Sequence, residues 1–327
     1  MFLINMLYLF IIKEGVFMDW YYIVLIVIAS IILLVILTCY SCFKMCFYSN
    51  VKVVENGEVK LPNDEIFQVH KDLIMKDIYD ARTMNYKKVS IKSYDGLTLV
   101  GKYYENFKDA TIEIMFHGYR GSGERDLSTG VRRAKECGRN ALIMEQRGGG
   151  YSDGHVITFG VKERYDVISW INYVIETFGK DVKIILTGIS MGAATVVNAS
   201  AFDLPSNVIG ILADCGYDSA KDMIKKTIKE MKLPVNIFYP FVKLSARIYG
   251  GFNLEEISPI EAIKKCKVPI IFIHGDADTL VPCYMSQNLY DSCNSKKQIV
   301  KIKNAGHGIS YLVDPETYVK SLNEFFK

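Results

Sequence analysis

Ser190, Asp278 and His307 are the residue types that together carry out nucleophilic acyl transfer, and they occur in that chain order. A serine hydroxyl is unreactive at its own pKa. It needs a base within hydrogen-bond reach, and the base needs an orienting carboxylate. Ser190 lies in Gly188-Ile189-Ser190-Met191-Gly192, between the β-branched run Ile184-Ile185-Leu186-Thr187 and a small-residue helical pattern. This suits a sharp strand-to-helix turn that exposes the hydroxyl, with glycines where a side chain would collide with neighbouring backbone. The helix that follows aims its N-terminal N–H groups at charge developing near Ser190.

Other residues compete for two of these roles. Of the five histidines, His70 precedes the expected sheet, His117 and His274 sit in strand-end His-Gly pairs, and His155 is in a loop. His307, flanked by Gly306 and Gly308, suits a loop tip that presents its ring. For the acid, Asp276 and Asp214 are rivals to Asp278. An oxyanion needs two N–H donors, and Met191 and Tyr119 are the expected pair, from the residue after the nucleophile and the loop after the third strand. Gly118-Tyr-Arg-Gly121-Ser-Gly123 lacks the G-x-G-x-x-G spacing and an acidic ribose partner, which excludes dinucleotide binding. Cys39-Tyr-Ser-Cys42 has no second pair to form a zinc site.

Alternating periods supply elements to hold these residues. Lys87–Lys92 and 97–103 alternate around Asp95-Gly96, a hairpin signal. Strands are then expected at 111–116, 141–145, 182–186, 208–213, 269–273 and 298–302. Helices are expected at 126–137, 161–178, 193–202, 284–290 and 317–326. This spacing implies a doubly wound, mostly parallel sheet, with its chemistry at the carboxyl ends of the strands. The stretch 216–267 is too long for a plain connection. It carries a lysine-studded helix (218–231), an apolar aromatic run from Leu233 to Val242 and a second helix to Tyr249, and is expected to form a cap.

The chain has 327 residues, half of them hydrophobic, and a net charge of +3, so nothing marks a nucleic-acid binder. Of eight cysteines, Cys137, Cys215, Cys266, Cys283 and Cys293 are scattered singly, which fits a reduced, cytosol-facing domain. Trp20 to Phe43 contains no charge. About 24 helical residues span roughly 36 Å, enough for a bilayer core. Trp20, Tyr21 and Tyr22 lie at one end and Tyr40 and Lys44 at the other, as in an interfacial belt. A single-pass membrane helix is expected, with Met1–Ile12 too short to span and Met18 an alternative start. Lys44, Lys52 and Lys60 follow the helix, and Glu14 and Asp19 offset Lys13 before it, which puts the bulk of the chain in the cytoplasm. The expected organisation is an N-terminal segment (1–19), a transmembrane helix (20–43), a juxtamembrane linker with one helix (44–86) and a catalytic domain (87–327).

His117-Gly118-Tyr119-x-Gly121, Arg147-Gly148-x-Gly150-x-Ser152, Gly188-x-Ser190-x-Gly192, His274-Gly275-x-x-Asp278-x-x-Val281-Pro282 and Gly306-His307 resemble the α/β-hydrolase superfamily. More narrowly, they resemble bacterial membrane-anchored members akin to the serine aminopeptidase-like and acyl-hydrolase groups. The resemblance covers about 87–327. It implies an α/β-hydrolase fold with a small helical cap, Ser190 as nucleophile, Asp278 as acid, His307 as base, and Tyr119 and Met191 as oxyanion donors, with no cofactor and no metal. Glu145 stands where relatives commonly have Asp, and Gly149 where they commonly have His. The expected activity is hydrolysis of small-molecule carboxylic esters or other acyl substrates. Aminopeptidase or thioesterase activity with the same triad is the alternative, and Glu255, Glu256 and Glu261 are candidates to bind a free amine. A non-catalytic membrane-tethered binding protein is the third reading.

Overall fold

The computed structural model describes residues 19–51, 57, 59, 61 and 65–327. The expectations for Met1–Ile12, Lys13, Glu14, Met18, Lys52 and Lys60 lie outside these residues. The chain opens with α1 (Trp20–Cys46), followed by α2 (Glu65–Val69) and α3 (Lys71–Thr83). Then come β1 (Lys87–Lys92), β2 (Thr98–Tyr104), β3 (Ile112–Phe116), α4 (Gly123–Glu136), β4 (Asn140–Met144) and α5 (Glu163–Phe178). The centre is β5 (Ile184–Ile189), α6 (Met191–Ala199) and β6 (Val208–Asp214). Two helices follow, α7 (Ala220–Glu230) and α8 (Val235–Ile248), then the short α9 (Pro259–Ala262). The chain ends with β7 (Ile270–Gly275), α10 (Tyr284–Ser292), β8 (Lys297–Ile302), α11 (Ser310–Val313) and α12 (Pro315–Phe325).

The eight strands form one sheet in the order β1-β2-β4-β3-β5-β6-β7-β8. The β1–β2 hairpin is antiparallel, β2 pairs antiparallel with β4, and every later pairing is parallel. The hairpin turns at Gly96, which has φ +90°. The inner strands β3, β4 and β7 are buried along their whole length, as a sheet covered on both faces requires. Glu113, buried in β3, is held by Arg133 at 2.6 Å and Arg139 at 2.7 Å, since a lone buried carboxylate would be costly. The turn after β4 is pinned by Arg147, which forks onto Asp166 at 2.6 and 2.7 Å and reaches Asp95 at 2.9 Å.

Boundaries differ from the periodic reading where caps decide them. Helix α4 starts at Gly123, three residues before the expected start, because the Ser122 hydroxyl accepts from the Arg125 amide. Helix α8 begins at Val235 and runs through Pro240, absorbing most of the apolar aromatic run. Helix α1 ends inside the fold. Cys39, Cys42, Phe43 and Phe47 are buried, whereas residues 20–37 are almost all exposed. Phe47 accepts from the Ile157 amide at 2.8 Å, and the Ser49 amide donates to His155 at 2.8 Å.

Candidate active site

Strand β5 ends at Ile189, and Ser190 turns the chain into α6 with φ 56° and ψ −118°. A non-glycine residue in this region is strained, and such strain collects at functional sites. The flanking glycines are sterically required. A Cβ at Gly188 would lie 2.1 Å from the Gly192 carbonyl oxygen, and one at Gly192 would lie 2.0 Å from that of Phe116. The Ser190 amide donates to the Asp214 carbonyl at 2.9 Å, which ties the turn to β6.

The loops after β7 and β8 bring Asp278 and His307 to the same point. His307 Nε2 is 2.9 Å from Ser190 Oγ, and His307 Nδ1 is 2.7 Å from Asp278 Oδ2. In the tautomer this requires, Nδ1–H donates to the carboxylate and Nε2 accepts from the serine hydroxyl. Asp278 Oδ1 accepts from the amides of Leu280 and Val281, each at 2.9 Å. Burial pushes the Asp278 carboxyl up, but hydrogen bonds from His274 and His307 outweigh burial and hold it well below the usual carboxylate range.

The rival acids are engaged elsewhere. Asp276 accepts from the Asn304 amide at 2.6 Å, and Asp214 accepts from the Tyr318 hydroxyl at 2.7 Å. Burial raises the Asp214 carboxyl, which suits a structural hydrogen bond. His274, of the second strand-end His-Gly pair, lies at the end of β7. It is fully buried, and its Nε2 lies 3.1 Å from Asp278 Oδ2 and 2.9 Å from the Val281 carbonyl. Its spacing of four from Asp278 was the available signal.

The loop after β3 lies against the elbow. A Cβ at Gly118 would be 3.5 Å from that of Ser190. His117, buried and pushed below its usual pKa by that burial, donates from Nδ1 to the Gly118 carbonyl at 2.8 Å. Its Nε2 accepts from the Gln146 amide at 2.9 Å. The Gly121 amide also donates to the Gly118 carbonyl, at 3.1 Å. A planar trans peptide points the next N–H opposite to a carbonyl so held, and that N–H belongs to Tyr119. The Tyr119 side chain turns away, to the end of α1, where its hydroxyl donates to the Cys46 carbonyl at 2.9 Å. Arg120, with φ 49°, donates to the carbonyls of Lys44, Met45 and Tyr48 at 3.1, 2.8 and 2.9 Å. It thereby caps the helix's orphan carbonyls.

A cavity of about 590 Å³ adjoins Ser190 and Met191. Its walls come from α7 and α8 and, on one side, from α1. The lining is apolar, with Ile224, Ile228, Leu233, Phe238 and Val242 among its residues. Glu255, Glu256 and Glu261 do not line it. Glu255 pairs with Lys243, Glu256 with Arg164 at 2.5 Å, and Glu261 with Lys264 at 2.7 Å. Among the described residues, one group has ligand atoms close enough for a metal: Cys215, Asp278 and His307, all within 4.8 Å. Burial raises the Cys215 thiol well above its usual value, which disfavours the thiolate a metal would need.

A strained serine between two close-packed glycines, beside a histidine and an aspartate from later strand ends of an eight-stranded, mostly parallel sheet, defines the α/β-hydrolase class. Comparisons with known proteins agree. A family model described as Serine hydrolase (FSH1) matches residues 219–309, the stretch that holds Asp278 and His307. YqkD of Bacillus subtilis is 26% identical over 191 residues, a match covering 58% of this chain and 63% of that protein. The chain thus spans just under two-thirds of that relative's length. The esterase Pf2001 of Pyrococcus furiosus superposes with a TM-score of 0.64 at 24% identity, covering 85% of this chain and 97% of the esterase. A structure described as a membrane phospholipase A, a bacterial virulence factor, gives 0.54 at 13% identity, covering 80% of this chain and 91% of its own. These likenesses show that the chain has the α/β-hydrolase fold.

Proposed function

We propose that the protein is a membrane-anchored serine hydrolase that cleaves carboxylic esters through an acyl-enzyme. The observation that carries this is the unbroken line Ser190 Oγ, His307 Nε2, His307 Nδ1, Asp278 Oδ2, with contacts of 2.9 and 2.7 Å. His307 Nε2 takes the Ser190 proton as Oγ bonds to the substrate carbonyl carbon. The amides of Tyr119 and Met191 donate to the resulting oxyanion. The carbon–oxygen bond to the leaving alcohol breaks, and His307 returns the proton to that oxygen. Water then attacks the acyl-serine with His307 again as base, releasing the carboxylic acid and restoring Ser190. Asp278, held ionised, stabilises the imidazolium in both steps.

Esters are favoured over aminoacyl amides because the three candidate amine-binding carboxylates are paired with cations and lie off the cavity. The anchor reading rests on α1. Its apolar N-terminal two-thirds projects free of the fold, while its last turns are packed into it, so removing the helix would remove a wall of the cavity. We place the catalytic domain on the cytoplasmic side, where Lys44 in the last turn of α1 belongs. Rates for matched ester, thioester and aminoacyl-amide substrates, with wild type and Ser190→Ala, test the activity. Preferred ester turnover that disappears in Ser190→Ala supports it. Preferred amide turnover, or Ser190→Ala matching wild type, overturns it.

A further inference from the structure

The apolar cavity beside Ser190 is not closed by the hydrolase domain alone. Helix α1 supplies its remaining wall with Leu37, Ser41 and Met45, which recur every four residues and so form one row along the helix. All three line the cavity yet are exposed, Leu37 and Met45 each at 54%. The cavity therefore opens sideways along α1. From Met45 to Leu37 this opening runs about 12 Å along the helix axis, into the segment read as membrane-spanning.

Helix α8 forms the other lip and runs beside α1 to a similar depth. At its end, the Tyr249 ring packs 5.6 Å from both Tyr40 and Phe43. Ile237, Leu244 and Ile248 of α8 are 54%, 40% and 60% exposed. Their spacing of seven and four puts them on one helical face. An apolar face beside a spanning helix is what an interfacial helix buries about 5–10 Å into a bilayer. In water the same face would be an unfavourable apolar patch.

We propose that the substrate is an acyl ester of a membrane lipid, whose chain enters from the bilayer through the seam between α1 and α8. This rests on the ester-hydrolase reading above. A methylene takes up about as much room as a liquid water molecule, roughly 30 Å³, so a 590 Å³ cavity holds on the order of one long acyl chain. A second chain of the same lipid stays in the bilayer. Helix α1 is then part of the binding site as well as the tether.

The test uses the full chain in phosphatidylcholine vesicles, with nitrophenyl butanoate and dodecanoate as soluble probes and fatty-acid release from the vesicle lipid as the third readout. Wild type should prefer dodecanoate by tenfold or more in kcat/KM and release fatty acid. Ser41→Trp and, as a second variant, Thr38→Trp should each lower the dodecanoate-to-butanoate ratio at least tenfold and reduce fatty-acid release in parallel. Ile32→Trp, at an exposed position of α1 off the cavity, should leave the ratio as in wild type. An unchanged ratio in both cavity variants, an equal loss on both probes, or no dodecanoate preference in wild type would overturn the lipid inference and leave the ester reading standing. Butanoate turnover equal in wild type and Ser190→Ala would overturn the ester reading itself.

Discussion

His274 and His307 meet on one oxygen. His307 Nδ1 lies 2.7 Å from Asp278 Oδ2, and His274 Nε2 approaches the same atom at 3.1 Å from the buried side. His274 is fixed in turn by the Val281 carbonyl at 2.9 Å and the Ser286 hydroxyl at 2.6 Å. Asp278 is thus clamped from both sides, and His307 inherits the orientation.

Asp278 and His274 should separate by magnitude. Asp278→Asn leaves the shape but favours the wrong imidazole tautomer, so kcat should fall about 10⁴-fold. His274→Asn removes one hydrogen bond to a charged group, worth about 1.5–3 kcal/mol, so kcat should fall roughly 10- to 100-fold. Steady-state rates on a soluble ester check the order. A loss in His274→Asn as deep as in Asp278→Asn would contradict it.

The glycines of the elbow should be far less replaceable than that of the hairpin. Gly192→Ala drives a methyl to 2.0 Å from the Phe116 carbonyl oxygen. Overpacking of backbone against backbone should cost about 3 kcal/mol or more. Gly96→Ala meets nothing within 4 Å and is strained only by its φ of +90°, a cost of about 1–2 kcal/mol. Thermal melting of both variants in detergent measures the gap.

Glu145 makes stability depend on pH. Burial raises its carboxyl to about 7 from an ordinary value of 4.5, with the Gly123 amide opposing. The folded state therefore binds a proton that the unfolded state releases first. The stabilisation is fully present below pH 4.5 and is lost as pH rises to about 7, a change of about 3 kcal/mol at most. Glu145→Gln should flatten that part of the stability curve in denaturant titrations at several pH values. A slope unchanged in Glu145→Gln would count against the assignment.

Arg120 should hold α1 to the domain. Its guanidinium serves three carbonyls at the helix end. Arg120→Met should loosen residues 44–50 by about 2 kcal/mol, read as faster amide exchange there than in wild type. The loop after β3, which we propose supplies the Tyr119 oxyanion donor, shares this anchor through the Tyr119 hydroxyl, so ester turnover should fall as well.

The elbow, the meeting of Ser190, His307 and Asp278 and the order of strands and helices were legible because each rests on local rules. Glycines mark a turn that tolerates no side chain, apolar alternation marks buried strands, and chain order links Ser190 to Asp278 and His307. Helix α4 began early because Ser122 is a cap that an apolar period does not register. The clamp by His274 and the cap by Arg120 were not legible, since both depend on partners brought close only by folding. The second role of α1 was hidden for a related reason. Composition marks it as apolar enough to span a membrane, but that Leu37, Ser41 and Met45 face a cavity is a fact of packing.

The departure at β4 has a physical account. Glu145 reaches the Gly123 amide at 2.9 Å, and its carboxyl fills the space where a Cβ at Gly150 would stand, 2.1 Å away. A Cβ at Gly149 would lie 3.1 Å from the His117 ring. The longer acid and the bare glycines fit one another, and His117 remains free to hold the Gly118 carbonyl.

The most direct test of the central claim is the intact mass of the full chain after reaction with a fluorophosphonate, with the site mapped by peptide fragmentation. The account predicts one adduct per chain, on Ser190, absent from Ser190→Ala and strongly slowed in His307→Ala. An adduct of equal extent in Ser190→Ala, or none on a folded wild-type chain, would contradict it.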